Sequence, residues 1–444
     1  MAMSRTARLI SNLLAGGAYA AVYAWSYVAF LHPNYESAGY DLFPRSAPFW
    51  IASIIITLLP VLGYRGTRAI SSIVAAMIYL VLYVPIILTF AFASEQPLDR
   101  IVTIQLTFMV GMLLLFLADW VIIESPFRLN VEYDLTPMMP ILTAVVTAYI
   151  LFVYRGSLGF PSFGDDLYVQ RADNESLGGG FLMRYLSSWL TTVLVPLCLA
   201  HGLTRRKYFY VLIGSVACFV QYIAAANKFS ILLPFIFVGF YLFARKRLAS
   251  LFMWVAGALC AITVGLVLSA NYSLIAFAAA ALLLMRTIGN GGQLAVAYYD
   301  FFSTHTQTGF SHVSGLALFT RPYPYGDLGV GQVIGQFYWS PFMNANASFW
   351  ATDGLAAMGL PGVLIVTLVF AMVLVVMNSV SREYGLTFTA LAFIPFIAMV
   401  MNQSLFSALL SGGAIIMMLF MAFNGTKPLT AIEPSYTSPR FVEH

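Results

Sequence analysis

Apolar residues along this chain come in long unbroken runs rather than in amphipathic stripes. Runs of roughly 17–25 apolar residues cross a ~30 Å hydrocarbon core as helix. Such spans are predicted near 9–31, 47–63, 69–93, 101–123, 137–154, 181–202, 249–270 and 355–378. Two further runs are too long for one crossing. Residues 208–243 hold 36 nearly uninterrupted apolar positions, about 54 Å of helix at ~1.5 Å per residue. Asn227 and Lys228 at its middle predict a tight turn, and "NQS" at 402–404 predicts another within 386–424. Eight single runs and two split ones make 12 spans. The run 271–286, "NYSLIAFAAAALLLMR", is short for a crossing and reads as a re-entrant or interfacial helix.

Composition agrees with that pattern. Of 444 residues, 60% are apolar and only 9% charged, with a mean hydropathy of +0.85; soluble domains carry ~25% charged residues. The fold class is therefore an all-α polytopic membrane protein, because only helices or closed barrels satisfy the backbone in lipid. The first run follows Arg5 and Arg8 and exceeds a signal-peptide core of about 7–15 residues, so an uncleaved first span is expected. Cys198, Cys218 and Cys260 all lie in apolar runs and form no disulfide or metal-ligand pattern.

Charge gives the sides. With the N-terminus cytoplasmic, "YRGTR" (64–68), "TRRK" (204–207) and "ARKR" (244–247) fall inside, with Arg128, Arg382 and both termini. That is 14 of the 22 Lys and Arg, as the positive-inside rule requires. Of the 18 acidic residues, 11 fall outside, so the outer face is net negative and its 8 basic residues do not set topology. Two outer segments are long, 155–184 and 271–345, and no soluble domain is attached. Any chemistry belongs at the outer membrane surface.

Three constellations could carry it. Arg155, Arg171, Arg184, Lys228, Arg286 and Arg321 are isolated cations on or just below the outer face. A cation near the apolar core costs ~2.5–3.5 kcal/mol on the insertion scale and is usually functional or paired. Guanidinium forks match phosphate oxygens, so Lys228 and Arg286 read as a diphosphate clamp, whereas Arg184 reads as a snorkelling residue where a helix leaves the interface. The segment 298–350 is dense in aromatics, among them Tyr298, Tyr299, Tyr323, Tyr338 and Trp339, beside the glycine-rich "YPYGDLGVGQVIGQ". Such surfaces stack on sugar rings, although an interfacial aromatic belt accounts for part of them. Possible general bases are Asp165, Asp166, Asp300, His305, His312, Asp327 and Asp353, of which Asp353 stands out at the mouth of an apolar helix. No GxxxxGK[ST], HExxH, GxSxG or close DxD pair occurs, which removes support for ATP hydrolysis, intramembrane proteolysis and serine esterase chemistry. No metal site or cofactor is expected.

Three stretches carry a family resemblance. "NANASFWATDGLAAMGLPG" (344–362), "ANKFSILLPF" and "LLLMRTIGNGGQLAVAYYDFF" (282–302) are similar to the helix entrance, small-residue turn and arginine-opened loop of the O-antigen polymerase (Wzy-type) family. The resemblance implies a bacterial inner-membrane protein with about a dozen spans, both termini cytoplasmic and two large periplasmic loops. It implies the metal-independent membrane glycosyltransferase (GT-C class) architecture. Its donor and acceptor would both be undecaprenyl-diphosphate-linked glycans, with a flippase and a chain-length regulator as possible membrane partners and no nucleic acid.

On that reading Lys228 and Arg286 hold the diphosphate, supported by Arg155, Arg171 and Arg321. The base is ranked His312, Asp353, Asp166, His305. The glycan lies against Tyr298, Tyr299, Tyr323, Tyr338, Trp339, Asn344 and Asn346. A bland reading of the asparagines is helix capping. A lipid-linked oligosaccharide flippase and an O-antigen ligase of the same architecture remain alternatives, and acceptor choice does not separate polymerase from ligase in the sequence.

Overall fold

The computed structural model describes residues 5–121, 134–156, 158–159, 180–225, 228–313 and 315–424. Among these, all regular structure is helical. Eight helices are long and apolar enough to cross a membrane: α1 (Thr6–Ala38), α2 (Ile70–Ala93), α3 (Leu98–Trp120), α4 (Leu182–Thr204), α5 (Tyr208–Ala225), α6 (Phe229–Ser269), α7 (Leu274–Thr304) and α8 (Trp350–Ser381). Shorter apolar helices span Ala47–Gly63, Met138–Val153 and Ala414–Phe423. The chain is thus a polytopic helical protein, as its hydropathy predicts. At 41 residues, α6 contains two helical lengths, interrupted by the 3₁₀ turn Leu248–Ser250 after Arg247, whose φ of −132° leaves helical geometry. Helix α5 ends at Ala225 and the next helical residue is Lys228, where the long run 208–243 is expected to turn.

The segment 271–286 differs from expectation. Instead of a separate re-entrant helix, it supplies the first half of α7, which continues to Thr304. The "GNGG" at 289–292 resembles a turn in sequence but serves as a packing surface. A Cβ on Gly291 would lie 2.8 Å from the Leu82 side chain, and one on Gly292 2.3 Å from Thr89 Oγ1 and 2.7 Å from the Pro85 carbonyl. Backbone contact between α7 and α2 is possible only with these residues, the small-residue solution common in membrane helices. The helix stays continuous through the π segment Ala281–Gly289.

Helix α8 is also not a simple rod. It begins as the π turn Trp350–Leu355, then breaks at Met358 and at Gly359, whose φ of 65° and ψ of −142° only glycine adopts readily. Pro361 restarts the helix and cannot donate to the Ala357 carbonyl four residues back. Main-chain donors from another loop fill the gap: Thr308 N–H donates to Ala356 O (2.8 Å) and Gly309 N–H to Ala357 O (2.9 Å). The break therefore fastens residues 308–309 against the top of α8. Within the core, Trp350 Nε1 donates to Thr367 Oγ1 (2.8 Å), fixing the restarted helix against its own first turn.

Candidate functional site

Helices α2, α4, α5, α6 and α7, the helix Ile394–Asn402 and the extended stretch 346–348 line an open cavity of about 900 Å³. One face of α4 supplies Arg184, Ser187, Ser188 and Thr191, spaced i, i+3, i+4 and i+7, so that all four project the same way. Gln221 of α5 and Asn290 of α7 stand opposite, and the extended stretch 346–348 with Asn402 and Gln403 closes the cavity. Aliphatic walls come from residues such as Leu82, Leu294 and Met399. Arg184 is the one charged lining side chain among the described residues, and no carboxylate joins it.

Local π geometry gathers here. The π segments Tyr79–Tyr83, Leu190–Leu194 and Ala281–Gly289 each contribute lining residues, and a fourth, Trp350–Leu355, begins two residues after Ser348. Such segments are rare and concentrate at functional sites.

Most lining hydroxyls are already engaged. Thr191 and Thr192 donate to Ser188 O at 3.0 and 2.8 Å, and Ser188 Oγ donates to Ser411 O at 2.9 Å. Gln221 Nε2 donates to the Ser187 hydroxyl and to the Ser187 carbonyl (3.4 Å). Two buried atoms have no protein partner: Gln221 Oε1 and Ser348 Oγ.

Beside the cavity lies a buried pair. Asp353, fully buried in the π turn of α8, accepts from Ser404 Oγ at 2.6 Å and from Leu405 N–H at 2.5 Å. His312 Nε2 approaches the same carboxylate at 3.4 Å, and its Nδ1 meets Thr308 Oγ1 at 2.8 Å. Thr308 is the residue docked on the α8 break, so the break positions the histidine. Asp353 thus ties the 305–313 loop to the helix interruption after Asn402, whose residues 402–403 line the cavity. The His312 side chain keeps 7% exposure and is the part of this network that solvent reaches.

The remaining predicted residues are distributed as follows. Arg155, Arg286 and Arg321 are exposed; Arg155 stacks on Phe152 (4.9 Å), and Arg321 lies over Gly309. Lys228 opens its helix, with its side chain outside what is described, and the predicted turn at Asn227 also lies outside the described residues. Asp166 and Arg171 lie outside the described residues. His305 is exposed and stacks flat on Phe301, with centroids 4.0 Å apart. It is held by its own helix end and not by the His312 network.

The tyrosines divide. Tyr298 is fully buried and donates to Ala345 O at 2.9 Å, and Tyr299 is buried with its hydroxyl accepting from Arg100 Nε at 2.5 Å. Both brace the scaffold around the site. Tyr323, Tyr338 and Trp339 are partly open, and burial pushes the Tyr323 and Tyr338 hydroxyls up to about 12, leaving them neutral donors at physiological pH. Trp339 Nε1 donates to Ala38 O (3.3 Å). Asn344 and Asn346 are exposed and fit over Gly331, where a Cβ would lie 2.4 and 2.7 Å from their side-chain oxygens; Asn346 also lines the cavity. Tyr298→Phe is therefore expected to lower stability by about 1 kcal/mol while leaving activity near wild type. Matched thermal-unfolding and product measurements check this.

Sequence reasoning set Arg184 aside and passed over Gln221, Ser348 and the cavity side of "NQS". The available signal was the helical spacing of Arg184 with Ser187, Ser188 and Thr191. The chain matches no family model, and comparison with curated proteins and with solved structures found no match.

Proposed function

We propose that this protein is a glycosyltransferase of the O-antigen polymerase type, acting at the periplasmic face of a bacterial inner membrane. It would cross the membrane twelve times with both termini cytoplasmic. The cavity between α4, α5 and α7 carries the reading: its hydroxyls, amides and single guanidinium suit a saccharide bearing an anionic lipid anchor. In the reaction a hydroxyl of the acceptor repeat unit attacks the anomeric carbon of the donor glycan. The bond from that carbon to the diphosphate oxygen breaks, and undecaprenyl diphosphate leaves with the bonding pair. His312, whose Nδ1–H donates to Thr308 Oγ1, takes the hydroxyl proton on Nε2, and the Asp353 carboxylate stabilises the imidazolium so formed. Arg184, with Lys228 and Arg286, would neutralise the charge that develops on the leaving diphosphate, supported by Arg155, Arg171 and Arg321.

The decisive assay uses purified full-length protein in lipid nanodiscs with undecaprenyl-diphosphate-linked repeat units. A ladder of lengthened glycans is expected. Arg184→Ala is expected to lower its rate about hundredfold, the scale of one lost charge-stabilising group, with Lys228→Ala and Arg286→Ala also impaired. Translocation of the lipid across liposomes without lengthening would identify a flippase instead, and transfer of glycan only onto lipid A core would identify a ligase.

A further inference from the structure

We infer that Gln221 and Ser348 form a saccharide subsite inside the cavity, recognising a hydroxyl or acetamido group through uncharged hydrogen bonds. Both residues are nearly inaccessible, at 2% and 1% exposure, and both line the cavity. Their orientation is fixed from behind. The Ser187 main-chain carbonyl can only accept, so the Gln221 amide must turn its N–H groups toward Ser187, as observed. Its carbonyl oxygen is then left in the cavity wall, buried and with no protein donor. Ser348 sits just before the first helical residue of α8, a position where serine commonly caps the helix with its side chain. Here the hydroxyl makes no such bond; its main-chain carbonyl alone serves the turn, accepting from Ala351 N–H (3.0 Å) and Thr352 N–H (2.9 Å).

Buried polar atoms without partners destabilise the fold and are uncommon. Two in one cavity, one an acceptor and one able to donate or accept, indicate a ligand that supplies the complement. A sugar hydroxyl or the N–H of an acetamido group donates to Gln221 Oε1, and a ring hydroxyl or acetamido carbonyl pairs with Ser348. Neither atom carries charge, so discrimination depends on hydrogen-bond pattern, which rejects a sugar lacking the matching group strongly. Arg184, on the same helix face as Ser187, places the lipid diphosphate at the same cavity. The subsite deepens the glycosyltransferase reading and rests on it only for the consequence, not for binding.

Binding is measured with the full chain in nanodiscs and two probes: undecaprenyl-diphosphate-linked repeat units from cells making this protein, and undecaprenyl diphosphate alone. Gln221→Met and Ser348→Ala are each expected to weaken the glycan-bearing probe about tenfold while leaving the bare lipid within about twofold. Ser348→Ala removes no contact within the protein, so its melting temperature is expected to stay level or rise, which separates lost recognition from lost folding. Wild-type binding of the glycan probe by both variants, or equal loss of both probes, overturns the subsite. Wild-type protein that binds the glycan probe in this variant-sensitive way yet never lengthens it sustains the subsite and refutes the polymerase.

Discussion

Alanine at position 353 is expected to destabilise the protein by about 3 kcal/mol and to abolish glycan lengthening together. The Asp353 carboxylate satisfies Leu405 N–H and Ser404 Oγ while facing His312, in a site with no exposure. Removing it leaves the buried Leu405 N–H unpaired, at ~1–3 kcal/mol, leaves Ser404 Oγ with only the bond it accepts from Ser407 N–H (3.3 Å), and forfeits hydrogen bonds to a charged group worth ~1.5–3 kcal/mol. Asp353→Asn is expected to fall between, because an amide oxygen can serve one of the two donors and its NH₂ must face the other. His312→Ala separates the roles. It removes the more accessible member of the pair and leaves Ser404 and Leu405 paired, so lengthening should stop with a clearly smaller loss of melting temperature than in Asp353→Ala. Thermal unfolding in detergent and product ladders from the same preparations provide the check. Wild-type melting of Asp353→Ala would remove Asp353 from its tie between the helix break and the 305–313 loop. With both oxygens engaged, Asp353 stabilises the protonated histidine rather than taking the proton itself.

Much of this scaffold was legible because membrane helices obey a length rule that composition exposes. The helix end at Ala225 with its restart at Lys228, and the break at 403–404, fall where an apolar run exceeds a single crossing. Where glycine is involved, the sequence misleads. Gly289, Gly291 and Gly292 have the composition of a loop, yet they bring α7 against the backbone of α2 at Pro85, and nothing local distinguishes the two uses. Gly354, Gly359 and Gly362 fold one turn of α8 onto another. The site was half legible. His312 and Asp353 were named individually, being unusual residues beside apolar stretches, but 41 positions separate them and their pairing depends on Pro361 freeing a carbonyl for Gly309. Arg184 was discounted because snorkelling is the common fate of an arginine at a helix end. Only its helix-mates, hydroxyls on the same face, mark it as lining the cavity, where its side chain stays exposed. Gln221 is invisible in an apolar run, since its significance lies in one oxygen left without a donor.

The second large effect concerns the fold-back itself. Gly362→Ala is expected to destabilise by about 3 kcal/mol, the upper range for overpacking, and to lose activity with it. Its Cβ would lie 2.2 Å from the Gly354 carbonyl oxygen and 3.0 Å from the Gly354 carbonyl carbon, backbone atoms that no rotamer change can move aside. Gly354 immediately follows Asp353, so relieving the clash draws the carboxylate off Ser404 and Leu405 and loosens the wall of the cavity at Gln403. Gly359→Ala acts at the same hinge by another route: its φ of 65° is strained for any side chain, costing ~1–3 kcal/mol, and its Cβ would meet Gln307 Nε2 at 3.0 Å. Gly257→Ala and Gly265→Ala supply the contrast. Both sit in the Leu251–Ser269 helix with nothing within 4 Å of an added Cβ, so the gain in helix propensity of up to ~1 kcal/mol should leave them neutral or more stable. Melting temperatures of the four variants should therefore split two and two. A Gly362→Ala protein that melts and lengthens glycans like Gly257→Ala would mean that the break in α8 does not hold Asp353 in place.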